Sequence, residues 1–343
     1  MAKIRNIDPL SESILSTIGN TPLVRLTHVL GDIHFDLFAK LEMLNPGGSI
    51  KDRTAISLLR RGIESGDLQS GGVVIESTSG NLGIGLAQAC SLFGLRFICV
   101  VDPKTTDQNI RILKTYGAEI DYVSEPDPVT GEYLQARLNR VQYLLHTTGN
   151  SFWPNQYANP YNPKAHHQTM HEIVTALGGK VDYLFCATST CGTMRGCAEY
   201  VRDNGLSTKI MAVDAVGSVI FGGQRAKRLI PGHGAAVRPG LFQPNLAYKA
   251  IHVTDIECVI ACRRLARQEA ILAGGSSGAV ISAVQKVKHS IPPNAVCAVI
   301  LPDRGERYLD TIYSNEWVET HFGWIEYPWE IPAHVEPLTA AAI

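Results

Sequence analysis

The feature that most constrains this 343-residue chain is a repeating order of short apolar runs and helical stretches. Runs at 73–76, 96–101 and 119–123 read as strands, and stretches at 82–93, 107–116 and 133–146 read as helices. After an irregular segment at 152–162 the rhythm resumes. Helix 163–177, strand 183–187, helix 194–203, strand 210–213, helix 256–269 and strand 295–301 follow in turn. Strands separated by single helices pair in parallel and are covered on both faces. The expected fold class is therefore α/β, with two doubly wound units, and the length suits about two domains. The Gly- and Pro-rich stretch 217–247 is expected to be a long surface excursion. In such sheets the loops at the carboxyl ends of the strands line one crevice.

Composition narrows the function classes. A net charge of -1 gives no electrostatic footprint for nucleic acid or an anionic membrane. The N-terminal residues lack the apolar core of a signal peptide, and no run is long enough to span a bilayer. A cytoplasmic enzyme is expected. The 8 cysteines lack framework spacing and are expected to be buried small hydrophobes. His167, His171 and Glu172 could share a helix face, but no third ligand cluster lies nearby, so no metal site is expected.

Chemistry concentrates in a few turns. Residues 45–53 read N-P-G-G-S-I-K-D-R. Ser49 looks like a helix N-cap, which puts Lys51 in the first helical turn, where the helix dipole disfavours a cation. A lysine that sheds its proton easily can form a Schiff base with a carbonyl cofactor. The plain alternative is a solvated first-turn lysine. Residues 188–193 read T-S-T-C-G-T between a strand and a helix. Hydroxyls and free N–H groups at a helix start cradle anions, phosphate above all, although many such turns only cap a helix. Neither the G-K-[ST] of a P-loop nor a G-x-G-x-x-G fingerprint is present. A phosphate cradle plus a reactive lysine describes pyridoxal 5′-phosphate (PLP). Ser276, in A-G-G-S-S-G-A, would offer a hydroxyl to the pyridine nitrogen and leave the ring uncharged, which suits β-elimination and β-replacement.

Five blocks carry a resemblance: I-G-N-T-P-L-V-R-L, N-P-G-G-S-I-K-D-R, E-S-T-S-G-N-L-G-I-G-L-A, A-G-G-S-S-G-A and G-E-R-Y-L. Together, from Leu15 to Tyr313, they resemble the cysteine synthase and cystathionine β-synthase family of fold-type II PLP enzymes. The resemblance implies two doubly wound α/β domains with the cofactor in the cleft between them. Residues 46–155 would form the smaller mobile domain, 12–45 plus 156–325 the larger PLP-binding one, and 326–343 a C-terminal tail. It implies Lys51 as the Schiff-base lysine, Asn81 on the PLP 3′-oxygen, Ser189, Thr190, Cys191, Gly192 and Thr193 on the phosphate, and Ser276 on the ring nitrogen. Ser77, Thr78, Ser79 and Gly80, with Gln156, would grip the substrate carboxylate. A homodimer is also implied.

The phosphate loop departs from the glycine-richer form usual in sulfhydrylases. V-V-D-P-K, S-E-P-D, N-Q-Y-A-N, V-D-A-V-G-S-V-I-F-G and I-L-P-D-R-G-E-R-Y-L-D are similar to the branch that makes N-(2-amino-2-carboxyethyl)-L-glutamate for staphyloferrin B. That similarity implies O-phospho-L-serine and L-glutamate as substrates, with Arg137, Tyr157 and Ser189 as substrate contacts. Arg137 on its helix otherwise reads as a solvated charge. Arg195 and Arg304 are the other candidates for the leaving phosphate.

Overall fold

The computed structural model describes residues 13–324, so the tail at 326–343 lies outside the described residues. Two sheets form. The larger runs β1 (Leu23–Arg25), β2 (Asp36–Leu41), β10 (Val296–Leu301), β7 (Tyr183–Ala187), β8 (Lys209–Ala215) and β9 (Lys249–Val253). Only β1 is antiparallel to its neighbour; the other pairings are parallel. The smaller runs β5 (Glu119–Tyr122), β4 (Arg96–Val101), β3 (Val73–Ser77) and β6 (Ser151–Phe152), all parallel.

Every residue of β3 is buried, as expected of a strand with helices on both faces. Its alternation decides which helix each side chain meets. Val74 points to the core under α1 (Lys51–Ser65) and α2 (Asn81–Phe93), whereas Val73 and Ile75 pack under α4 (Tyr133–Thr147). In the larger sheet, Leu184 and Cys186 meet α5 (Tyr161–Ala176) and α6 (Gly192–Asp203), and Phe185 meets α7 (Asp255–Gln268) and α8 (Gly275–Val287). Gly85 lets α2 lie close on the start of α1: a Cβ there would sit 3.3 Å from Asp52 Cα.

The expected α/β layers are present, with differences. β9 went unseen in the sequence because it is an edge strand whose apolar run is broken by Lys249 and His252. The short α9 (Asn315–Phe322) is held by Ser314, whose Oγ accepts from Trp317 N at 3.2 Å. The 217–247 stretch contains no helix or strand, and it is a surface excursion only in part: 223–227 is exposed, but other residues reach the interior. Ser218, Ile230 and His233 are buried, and Gly234 N donates to Thr188 O at 2.7 Å. All eight cysteines are free and buried. No group of three metal-ligating side chains occurs among the described residues, nor does any helix there suffice to cross a membrane.

The start of α1 is fixed by a buried ionic network. Arg53 donates to both oxygens of Glu42 at 2.7 and 2.8 Å and to both oxygens of Glu172 at 2.8 and 2.7 Å. Lys40 Nζ reaches Glu172 at 2.6 Å, and Thr21 and Asn45 satisfy Glu42 further. The paired cations hold the Glu172 carboxyl down to about 2 against its burial. This is where Glu172 belongs, rather than on a metal with His167 and His171, which bond Glu199 and Tyr200. Removing one partner of a buried pair strands the other charge. Glu172→Ala, which strips Lys40 of its counter-charge and leaves Arg53 with Glu42 alone, is expected to lose on the order of 3–5 kcal/mol of stability, read as a lowered urea midpoint; an unchanged midpoint would discount the network.

Candidate active site

Helix α1 begins at Lys51 itself, and its N-cap is Ile50 rather than Ser49. Ser49 still serves the turn: its Oγ accepts from Lys51 N at 3.2 Å and its carbonyl from Asp52 N at 3.2 Å. The reason is register, since Ser49 is held in an antiparallel bridge to Asp303, and Ile50 N donates to Pro302 O at 2.8 Å. Lys51 Nζ has no hydrogen-bond or ion-pair partner among the described residues. Burial lowers its pKa from 10.5 to about 8. Desolvation thus favours the neutral amine.

The loop 188–193 closes on the same place. Cys191 is close enough to Lys51 for their charges to interact. It caps α6 in the left-handed region, φ +66°, where glycine is favoured. Gly192 has no room for a side chain, because a Cβ would come within 2.1 Å of Asn162 Oδ1. Asn162 itself donates to Thr190 Oγ at 3.3 Å and to Gln156 O at 2.7 Å. Buried His166 joins α1 to α6, its Nε2 lying 3.2 Å from Thr54 Oγ and 3.4 Å from Thr193 Oγ. Burial, with Lys51 and Arg53 adding to it, holds His166 neutral. Ser189 and Thr193 are half-buried and Thr190 is buried.

The Ser77–Asn81 turn leads from β3 into α2. Ser77 is buried with its Oγ unpartnered, and Thr78 N donates to Val100 O at 3.3 Å. Among the described residues no acceptor engages the N–H groups of Ser79 and Gly80, which lie at the start of α2 as an anion grip requires. Ser276 is buried in the first turn of α8, one residue after Gly275. Asn81 is tied at both ends of its amide: Nδ2 donates to Asp303 Oδ2 at 2.8 Å, and Oδ1 accepts from Arg307.

Arg137 is not a solvated helix charge. It is buried on α4, with Nε 3.2 Å from Asp102 Oδ2 but out of line for a hydrogen bond. Arg137, Glu76 and Asp102 all act electrostatically on the Tyr157 hydroxyl, whose pKa burial raises. Arg195 is instead engaged by Glu199 at 2.7 Å and Leu241 O at 3.4 Å, and Arg304 by Met43 O at 3.0 Å.

Several residues that shape the site were not singled out from sequence. Glu76, fully buried on β3, accepts from Ser77 N at 2.9 Å, Trp153 Nε1 at 3.1 Å and Gln156 N at 3.2 Å. Burial pushes its pKa up to about 7 against those donors. Asp303, Arg307 and Tyr308 come from P-D-R-G-E-R-Y, a stretch whose charge density in an otherwise apolar setting was the available signal. Asp303 lies opposite Ser49 in the bridge and is bonded by Asn81 and Gly274, so one residue touches the lysine turn, α2 and α8.

A family model for pyridoxal-phosphate dependent enzymes matches residues 14–303. The chain belongs to that family. Among solved structures it is similar to an O-acetylserine dependent cystathionine beta-synthase from Helicobacter pylori, at 30% identity and TM-score 0.83, over 89% of this chain and 100% of that one. It is also similar to O-acetyl serine sulfhydrylase isoform 3 from Entamoeba histolytica, at 31% identity and TM-score 0.83, over 89% and 92%. An O-ureido-L-serine synthase matches at 30% identity and TM-score 0.81, over 90% and 96%. Both the fold-type II architecture and PLP dependence are thereby established.

The residues fit that cofactor: a desolvated, unpartnered amine, a helix start with a loop that admits no added Cβ at Gly192, and a buried serine on α8. Because the folded Lys51 titrates at about 8, below its ordinary 10.5, its neutral fraction rises between pH 7 and 9. The yield of borohydride-reducible PLP adduct on the apo-protein should follow with a midpoint near pH 8, and Lys51→Ala should give none. A midpoint near the ordinary lysine value would contradict the burial. Glu76→Gln places an amide among backbone and indole donors. The expected cost is about 1–3 kcal/mol of stability, accompanied by a raised KM for the amino-acid substrate because Gln156 and Ser77 lose their anchor; steady-state kinetics with an unchanged KM would argue against that role.

Proposed function

We propose that this protein joins O-phospho-L-serine to L-glutamate by PLP-dependent β-replacement, giving N-(2-amino-2-carboxyethyl)-L-glutamate and phosphate. The product is a precursor of L-2,3-diaminopropionate for a siderophore. The observation that carries this reading is Arg137. Of the three arginines, Arg195 and Arg304 donate to protein acceptors, whereas Arg137 is a buried guanidinium that faces the Asp102 carboxylate at 3.2 Å but makes no hydrogen bond among the described residues, so its N–H groups are left for a ligand. A doubly charged leaving group needs such a cation, whereas an acetyl ester does not. Tyr157 is within its electrostatic reach, and neighbouring Gln156 is linked through Asn162 to Thr190.

The roles follow from the residues. The phosphate of the cofactor falls to Ser189, Thr190, Cys191, Gly192 and Thr193, its 3′-oxygen to Asn81 and its ring nitrogen to Ser276. PLP, when bound, supplies an aldehyde carbon for an amine and a ring that withdraws electrons from the amino acid's Cα. Lys51 is the anchoring amine and the base that takes the Cα proton and later returns it. The free N–H groups of Ser79 and Gly80, with Ser77, Thr78 and Gln156, hold the substrate carboxylate. Arg137, Tyr157 and Ser189 receive the departing phosphate. Closure of the smaller domain, residues 46–155, keeps water from the site between the two half-reactions. The working unit in this reading is a cytoplasmic homodimer.

The test is direct. Enzyme with O-phospho-L-serine and L-glutamate should release free phosphate and the coupled amino acid in equal amounts, with ping-pong kinetics. Arg137→Met should lose at least about tenfold in kcat/KM with phosphoserine, as for removal of a charged hydrogen-bonding partner. Cysteine formed from O-acetylserine and sulfide with no glutamate product would assign the protein to sulfide chemistry. Absence of turnover with a normal cofactor spectrum would point to a binding protein on the same fold.

A further inference from the structure

The amide of Asn81 is oriented from the opposite unit. Asn81 opens α2, which belongs with the four-stranded sheet, whereas Asp303 and Arg307 follow β10 of the six-stranded sheet. Asp303 Oδ2 accepts from Asn81 Nδ2 at 2.8 Å and from Tyr308 Oη at 2.5 Å. The Arg307 guanidinium donates to Asn81 Oδ1 and, through its second terminal nitrogen, to Gly47 O at 2.5 Å. Asp303 is buried and its Oδ1 has no partner, so the carboxylate keeps acceptor capacity while its bonded oxygen is shared. A Cβ on Gly274 would come within 2.1 Å of that Oδ1, so the backbone of Ala273–Gly274 walls it in.

A primary amide has two unlike ends, and a hydrogen-bond network decides which faces where. Here an acceptor-only carboxylate takes the NH2 end and a donor-only guanidinium takes the carbonyl end, so one flip state satisfies both. Because Arg307 also holds Gly47, the same side chain sets the turn that carries Lys51.

We propose that Asp303 and Arg307 are positioning residues that fix the Asn81 amide, and with it the cofactor's 3′-oxygen, while Arg307 holds the lysine turn in register. This rests on the reading of Asn81 as a cofactor contact. Removing either group frees the amide to rotate, so the effect passes through Asn81 and shows in cofactor binding before any chemistry.

The experiment titrates apo-protein with PLP and records binding and the visible spectrum for Asn81→Ala, Asp303→Ala, Arg307→Met and the double variant Asn81→Ala/Asp303→Ala. Loss of an orienting charged hydrogen bond should weaken PLP uptake about tenfold. Both Asp303→Ala and Arg307→Met should move the spectrum in the same direction as Asn81→Ala. In the Asn81→Ala background, Asp303→Ala should change uptake by less than about twofold, the signature of one shared pathway. An equal loss in both backgrounds makes Asp303 a structural residue only and overturns the proposal. If Asn81→Ala leaves uptake and spectrum unchanged, the cofactor reading of Asn81 fails and the relay falls with it, a result distinct from the previous one. Should Asp303→Ala not fold, Tyr308→Phe and Arg307→Met carry the test; wild-type spectra in both would equally refute the relay.

Discussion

A guanidinium with almost no exposure, shared between two carboxylates, is the constraint on which the rest depends. Arg53 joins Glu42, at the end of β2, to Glu172 on α5. Neither carboxylate could be buried alone, and neither could the arginine, so the three elements must meet at one point. Lys51 lies two residues before Arg53, on the same first turn. Its position between the two sheets is therefore set by a charge balance in which it takes no part. The same burial that makes the network obligatory desolvates the lysine and raises the share of its reactive, neutral amine.

The strand end after β10 does comparable work for the loops. Pro302 and Asp303 pair with the lysine turn, Asp303 meets α2 and α8, and Arg304 and Gly305 bond Gly48 and Leu272 through their backbone groups. Loops are ordinarily the most variable parts of an α/β fold. Here three of them are cross-linked by a fourth, which is how side chains far apart in sequence come to share one small volume. Some polar atoms without partners lie in the same region, among them Asp52 Oδ1, Ser77 Oγ and Asp303 Oδ1. Burying such groups costs stability, and a site that must grip a small, highly charged molecule is where that cost is tolerated. Asp52, pushed up to about 7 by burial despite the Gly47 N–H, is one such compromise.

The comparisons separate what belongs to the fold from what belongs to the substrate. Proteins at similar distance from this chain are described by O-acetylserine, O-ureidoserine or sulfhydrylase chemistry. Such a fold therefore supplies the cofactor and the proton transfers, while a few side chains around the leaving group and the nucleophile decide the reaction. In the function proposed above, Arg137 and the crowded Ser189–Cys191 stretch are where this chain states its own preference.

The order of strands and helices, the lysine turn and the cofactor were legible in the residues, because each rests on local pattern: period-two apolar runs, helix-start chemistry and turn residues. The edge strand β9 was not, since one buried face broken by Lys249 and His252 resembles a loop. Arg137 read as a solvated charge because helical periodicity says nothing about what an α4 residue faces once the helix docks. Glu76, Asp303 and Arg307 looked like ordinary charges beside motifs, and the 217–247 stretch looked like surface. Only the tertiary structure could decide these, because burial and the partner across the cleft are properties of distant segments brought together, and it is burial that turns a charged side chain from a solvent-facing group into one that must be paired, neutralised or used.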